Sequence, residues 1–175
     1  MALHIIIDGY NLIRQSQTLS FLDQEDLQLG REALIDLLAS YKKIMGHPIT
    51  VVFDGKHSDA VSEQRQQMKG IRVVFSRHGE LADQVIKRMV KAERERAVVV
   101  SSDNEIINFS GSQGAATIGS GEFEEKISMA SYMAVKGVDP LEGEGEGWQP
   151  TTKKKGPKRR LSKKARKQKV KIKKL

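Results

Sequence analysis

Four aspartates stand out by what precedes or follows them. Asp8 directly follows Ile5-Ile6-Ile7, Asp54 directly follows Val51-Val52-Phe53, and Asp103 follows Val99-Val100 after the pair Ser101-Ser102. Asp83 closes the segment Glu80-Leu81-Ala82-Asp83, just ahead of a stretch of helical period. Carboxylates brought together disfavour one another's ionisation, so a cluster of them implies a compensating cation. The chain has no cysteine, which leaves oxygen or imidazole as ligands. His4, His47, His57 and His78 show no paired ligand spacing. Hard oxygen donors alone favour Mg²⁺ or Mn²⁺ over zinc. Taken singly, each aspartate also has an ordinary use: Asp-Gly at 8 and 54 is turn chemistry, and Asp83 and Asp103 suit helix N-termini.

What unites them is their place relative to the elements that must carry them. Short runs rich in Ile and Val predict strands at His4 to Ile7, Ile49 to Phe53, Ile71 to Phe75, Ala97 to Val100 and, more weakly patterned, Ala115 to Ile118. Between them lie helical stripes: Leu27, Leu34, Leu38, Tyr41 and Met45, ending near Gly46; Leu81, Val85, Met89 and Ala92; and Phe123, Ile127, Ala130 and Ala134. The alternation predicts an α/β domain with a mainly parallel central sheet covered on both faces. In such a sheet the carboxyl ends of the strands form one edge, where ligands bind. The four aspartates are expected on that edge.

Charge divides the chain. The net charge is +8, yet all 22 acidic residues precede Thr151, while 14 of the 30 basic residues follow Pro150. Residues 1–150 thus hold 16 basic against 22 acidic groups, a net of −6. Residues 1–138 are expected to form the domain, the acidic glycine repeat within 139–150 a linker, and 151–175 a disordered Lys/Arg-rich tail. No apolar run approaches the roughly 20 residues of a membrane span, and the first residues lack the pattern of a secretory signal. A cytoplasmic protein with no membrane partner is expected.

The segments Ile5-Ile6-Ile7-Asp8-Gly9-Tyr10-Asn11-Leu12-Ile13, Val51-Val52-Phe53-Asp54-Gly55, Glu80-Leu81-Ala82-Asp83 and Val99-Val100-Ser101-Ser102-Asp103 together resemble the YacP-type NYN-domain ribonucleases of the PIN-like nuclease superfamily. Gln113-Gly114-Ala115, with Ser120 before an acidic helix, is similar to that family too. The resemblance covers roughly residues 3 to 136. It implies a three-layer α/β/α PIN-like domain and metal-dependent endonucleolytic cleavage of RNA, with Asp8, Asp83 and Asp103 at the acidic metal-site positions. Asn11, Asp54 and Ser102 fall at motif positions that would contact substrate or support the site: Asn11 orienting Asp8, touching RNA or serving as a purely structural cap, Ser102 fixing the loop that carries Asp103.

The chemistry required for cutting RNA agrees. Phosphodiester hydrolysis needs a nucleophile at neutral pH and stabilisation of charge on phosphate, and carboxylate-held Mg²⁺ or Mn²⁺ supplies both by activating water and clamping oxygens. A haloacid-dehalogenase phosphatase would need an acid two residues after Asp8, where Tyr10 stands, and the glycines from Gly111 to Gly121 match no nucleotide loop. The remaining alternative is a non-catalytic RNA- or ribosome-binding protein with an inert acidic edge. Either way RNA, messenger or ribosomal, is the expected partner, met free or on the ribosome by Lys153, Lys154, Lys155, Lys158, Arg159, Arg160, Lys163, Lys164, Arg166 and Lys167 of the tail. Aromatic residues make up 5% of the chain, and no base-stacking platform is conspicuous.

Overall fold

A computed structural model of the chain describes residues 2–55, 61–137 and 162–175. A six-stranded sheet runs in the order β3-β4-β2-β1-β5-β6, where β1 is His4–Asp8, β2 Ile49–Phe53, β3 Gln64–Met68, β4 Ile71–Phe75, β5 Ala97–Val100 and β6 Ala116–Ile118. All neighbours are parallel except β3, which is antiparallel to β4. The helices are α1 Gly9–Gln15, α2 Gln17–Glu25, α3 Leu27–Met45, α4 Ala82–Glu93, α5 Asn104–Ser112, α6 Ser120–Lys136 and α7 Lys163–Lys173. The expected α/β architecture with a mainly parallel sheet is what the chain forms.

Strand alternation sorts the core into two layers. Ile5, Ile7, Val51, Phe53, Val73, Val98 and Val100 face α1, α3 and α6 through Leu12, Ile13, Leu34, Leu38, Tyr41, Phe123 and Ile127. Ile6, Val52, Val74 and Val99 face the other way, onto Val85, Ile86 and Val90 of α4 and Ile106 of α5. Because β1 lies between β2 and β5, with Ile7 opposite both Val51 and Val100, its carboxyl end is at the middle of the sheet edge. Gly46 ends α3 in the left-handed region (φ 72°), as the sequence predicts.

Two elements depart from expectation. β3 has no apolar alternation: Gln64, Arg65, Gln66 and Gln67 are all exposed, and its pairing with β4 at the sheet edge defines it. The second departure is the tail. The expectation of disorder through Leu175 does not hold for residues 162–175, where α7 packs against β6. Its inward stripe is Ala165, Gln168, Lys171, Ile172 and Leu175, spaced by three or four as one helix face requires. Gln168 Nε2 donates to Ala115 O at 3.3 Å, Lys171 Nζ donates to Glu95 O and, at 3.3 Å, to Gly114 O, and Leu175 is buried with its carbonyl accepting from the Tyr41 hydroxyl. The expected acidic glycine linker, and Lys153, Lys154, Lys155, Lys158, Arg159 and Arg160 of the expected RNA-binding tail, lie outside the described residues.

Candidate active site at the carboxyl edge of the sheet

The carboxyl end of β1 turns straight into α1, which makes Asp8 both the last strand residue and the N-cap of a helix: its Oδ1 accepts from Asn11 N at 3.4 Å. Gly9 is required at the turn, because a Cβ there would fall 2.3 Å from the Phe53 ring. At β5 the chain turns through Ser101-Ser102, and Asp103 becomes the N-cap of α5, its Oδ1 accepting from Glu105 N at 2.7 Å and Ile106 N at 3.3 Å. Asp83 lies in the first turn of α4, where a carboxylate favours the positive end of the helix. The structural uses open to these aspartates are therefore real. They also coincide with a shared location: Asp8, Asn11, Asp54, Asp83 and Asp103 all line one cleft of ≈ 530 Å³.

A hydrogen-bonded scaffold sets that edge. Ser101 Oγ donates to Asp8 Oδ2 at 3.5 Å and accepts from Asp103 N at 3.1 Å. Asn11 Oδ1 accepts from Ser102 N at 2.9 Å and from Ser120 Oγ at 2.7 Å, and Ser102 Oγ accepts from Ser120 N at 3.2 Å. The side chain of Asn11 thus ties α1 to the β5–α5 loop and the start of α6. Ser102 joins the same set of bonds through its backbone N–H and its hydroxyl. Gly55 brings the chain after β2 so close to Ser76 that a Cβ would lie 1.9 Å from Ser76 O, which fixes the backbone next to Asp54.

The site is strongly acidic. Burial first, and the nearby Asp103 carboxylate among the lesser causes, push Asp8 up to about 6 from its ordinary value of 3.8. Asp83 Oδ1 is buried without a hydrogen-bond partner, while Oδ2 accepts from Lys87 Nζ at 3.2 Å. Lys87 also pairs with Glu105, and the two carboxylates hold its pKa above the usual lysine value. Arg14 and Glu105, which line the cleft, and Lys87, which pairs with Asp83, are residues that the motifs do not single out. Lys87 is one helical turn beyond Asp83, and that i, i+4 spacing is the signal that would have found it. Two of the histidines stand apart: His4 is buried between Thr50 and Glu93, and His47 bonds Lys174 O.

Donor type fits a hard divalent cation, and the buried unpartnered Asp83 Oδ1 together with the raised Asp8 are what such a charge would relieve. Among the described residues, however, no three His, Asp or Glu side chains come close enough to enclose an ion. The fit is to a partly hydrated ion held by one or two carboxylates, the ordinary habit of Mg²⁺, and not to a protein cage. No helix among the described residues is long and apolar enough to cross a membrane.

Comparison with known proteins places this arrangement. Two crystal structures of Rae1 (YacP) from Bacillus subtilis share the fold: one, of a point mutant, at TM-score 0.67 and 23% identity over 81% of this chain and 85% of that one, the other at TM-score 0.64 and 24% identity over 82% and 83%. The protein described as "Uncharacterized protein YacP" of Bacillus subtilis (strain 168) is 31% identical over 88 residues, 50% of this chain and 51% of that protein, so the match spans about half of that relative's length. The family model of the YacP-like NYN domain matches residues 5–174, from β1 through α7. The chain belongs to the YacP-like NYN domain family.

Proposed function

We propose that this chain is a metal-dependent endoribonuclease, and that the carboxylates of Asp8, Asp83 and Asp103 form its catalytic edge. The observation that carries the reading is that these three residues, drawn from β1, α4 and the β5–α5 turn, line one cleft at the carboxyl edge of the sheet. One or two of them would hold Mg²⁺ or Mn²⁺ directly, with the remaining carboxylates and Asp54 beside it. When bound, such an ion lowers the pKa of water and stabilises the charge that a phosphate gains during hydrolysis. The chain's own part is positioning: Ser101 and the Asn11–Ser102–Ser120 group hold Asp8 and Asp103 in register. Lys87 offsets the charge of Asp83 and Glu105 until substrate and cation arrive. Arg14, at the cleft wall and 5.7 Å from the Tyr10 ring centroid, is placed to meet a phosphate.

RNA, free or within a ribosome, is the partner we assign to the basic face of α7, where Lys163, Lys164, Arg166 and Lys167 are exposed. The test is incubation of the purified chain with a mixed RNA pool in Mg²⁺, Mn²⁺ or EDTA, followed by mapping of the cut ends. Cleavage with 5′-phosphate ends in metal, abolished by EDTA and by Asp8→Asn or Asp83→Asn, is expected. Binding of RNA without cleavage under every condition would establish the inert, RNA-binding alternative instead.

A further inference from the structure

Beside the acidic cleft lies a second cavity of ≈ 330 Å³ that shares Tyr10 and Asp54 with it. Its floor is aromatic. Tyr10 packs edge-on against Phe53, with ring centroids 5.1 Å apart, and Phe53 stacks on Phe75 at 5.6 Å and 26°. The sequence spreads these rings over α1, β2 and β4, and the sheet collects them. From α3, Arg31 lays its guanidinium 5.6 Å from the Phe75 centroid and 6.0 Å from that of Phe53. Its Nε donates to Leu27 O at 3.2 Å. The far wall is β3, whose alternation turns Gln64 and Gln66 into the cavity with Met68. Among the described residues neither glutamine amide makes a hydrogen bond, and both residues are exposed.

Phe53 is fully buried and belongs to the core. Core packing does not account for two unengaged amides and an arginine fork around the half-buried Tyr10 and Phe75. Each amide offers a donor pair and an acceptor, and the guanidinium offers donors only. That set matches the edge of a nucleobase, and aromatic or guanidinium surfaces are what unstacked RNA bases lie against. The volume is at the lower end for a small-molecule site, roughly 300 Å³ upward, suited to one base rather than to a folded peptide.

We propose that this cavity receives one unstacked base of an RNA strand whose backbone lies in the neighbouring acidic cleft, and that Gln64, Gln66 and Arg31 select which base it is. The proposal rests on the nuclease reading for the position of the backbone, and on the cavity alone for the choice of base. The shared wall at Tyr10 and Asp54 makes the two sites adjacent, so the selected base would stand at a fixed offset from the cut.

The full chain in EDTA, where no turnover occurs, is titrated with four labelled trinucleotides of a single base each, and with the four nucleoside 5′-monophosphates. One trinucleotide is expected to bind at least about fivefold more tightly than the others, the lower end of what one bidentate base contact gives. The Gln64→Ala/Gln66→Ala variant should level the four, and Gln66→Glu should change the order of preference, since a carboxylate only accepts. Equal binding of all four trinucleotides by the unaltered chain, or a preference that survives both variants, would overturn the proposal. So would a monophosphate that binds as tightly as its trinucleotide, which would make the cavity a free-nucleotide site. Cut-end mapping in Mg²⁺ separates the two readings. Cleavage without any base bias sinks the pocket and leaves the nuclease, whereas a levelled preference in a chain that never cuts sinks the nuclease and leaves the pocket.

Discussion

The side-chain oxygen of Asn11 takes the backbone N–H of Ser102 at 2.9 Å, joining α1 to the turn after β5 across 91 residues of sequence. The same oxygen accepts from Ser120 Oγ. Asn11→Ala would leave both donors without that acceptor, at a cost of about 1–3 kcal/mol. Asn11→Asp keeps an acceptor there and should lose less stability, while adding negative charge near Asp8. Urea denaturation of the two variants, run beside an RNA cleavage assay, separates the two effects: the alanine variant falls in both, the aspartate variant chiefly in cleavage.

Asp8 gives a pH dependence of defined sign. Its carboxyl is at about 6 in the folded chain against 3.8 ordinarily, so between these values the folded state binds more protons than the unfolded one. Stability therefore falls as pH rises from about 4 to about 6 and stays lower above that. Without divalent cations the ionised Asp8 costs up to about 3 kcal/mol. In chelator, Asp8→Asn should melt higher than the unaltered chain at pH 7.5, and the difference should close toward pH 4. A constant difference across that range would remove Asp8 as its source.

Lys87 stands between Asp83 and Glu105. Lys87→Met deletes the cation while keeping most of the side-chain length, so a divalent ion no longer competes with an ammonium group for Asp83. The rise in melting temperature on adding Mg²⁺ should be larger in Lys87→Met than in the unaltered chain, and small in Asp83→Asn. Differential scanning fluorimetry across a Mg²⁺ titration reads this directly.

The docked α7 changes what truncation does. Leu175 is 5% exposed, and its carbonyl accepts from the buried hydroxyl of Tyr41. Leu175→Ala should cost about 2 kcal/mol through lost burial, and Tyr41→Phe about 1 kcal/mol through a lost hydrogen bond. Both should speed limited proteolysis within α7. Unchanged melting and unchanged proteolysis would mean that the helix does not hold the fold.

The outer face of α7 is expected to act separately from its inner face. Changing Lys163, Lys164, Arg166 and Lys167 to Glu should weaken RNA binding and leave melting nearly unaltered. If these four meet phosphates, a fourfold rise in salt acts through them by roughly 50-fold, at a single-strand slope of about −0.7 per contact. A quadruple variant with the salt dependence of the unaltered chain would place the RNA elsewhere.

The parallel strands were legible because strands buried on both faces are near-continuous apolar runs, and Ile49–Phe53, Ile71–Phe75 and Ala97–Val100 hold at most one polar residue each. The edge aspartates were legible because each adjoins such a run or opens the helix after one. β3 escaped because an exposed edge strand needs no apolar side chains, and Gln64 to Gln67 offer no strand pattern. α7 escaped for a subtler reason. Its inward stripe includes Gln168 and Lys171, which bond backbone carbonyls, and a count of apolar residues does not register such contacts. Charge alone suggested a solvated tail, yet one of its lysines, Lys171, faces inward. The aromatic floor shared by Tyr10, Phe53 and Phe75 was hidden by low aromatic content, since three rings suffice once β2 and β4 are paired.

The central place of β1 has one more consequence. Asp8 has neighbours on both sides only after β2 has paired with it from one direction and β5, about ninety residues away, from the other. A chain still emerging in order would carry Asp8, Asp54 and Asp83 long before the strand that sets Asp103 beside Asp8 existed. The acidic edge is thus a late product of topology: the strand that sets Asp103 beside Asp8 comes last of those that build it, so on the nuclease reading proposed above a half-made chain would lack the complete edge.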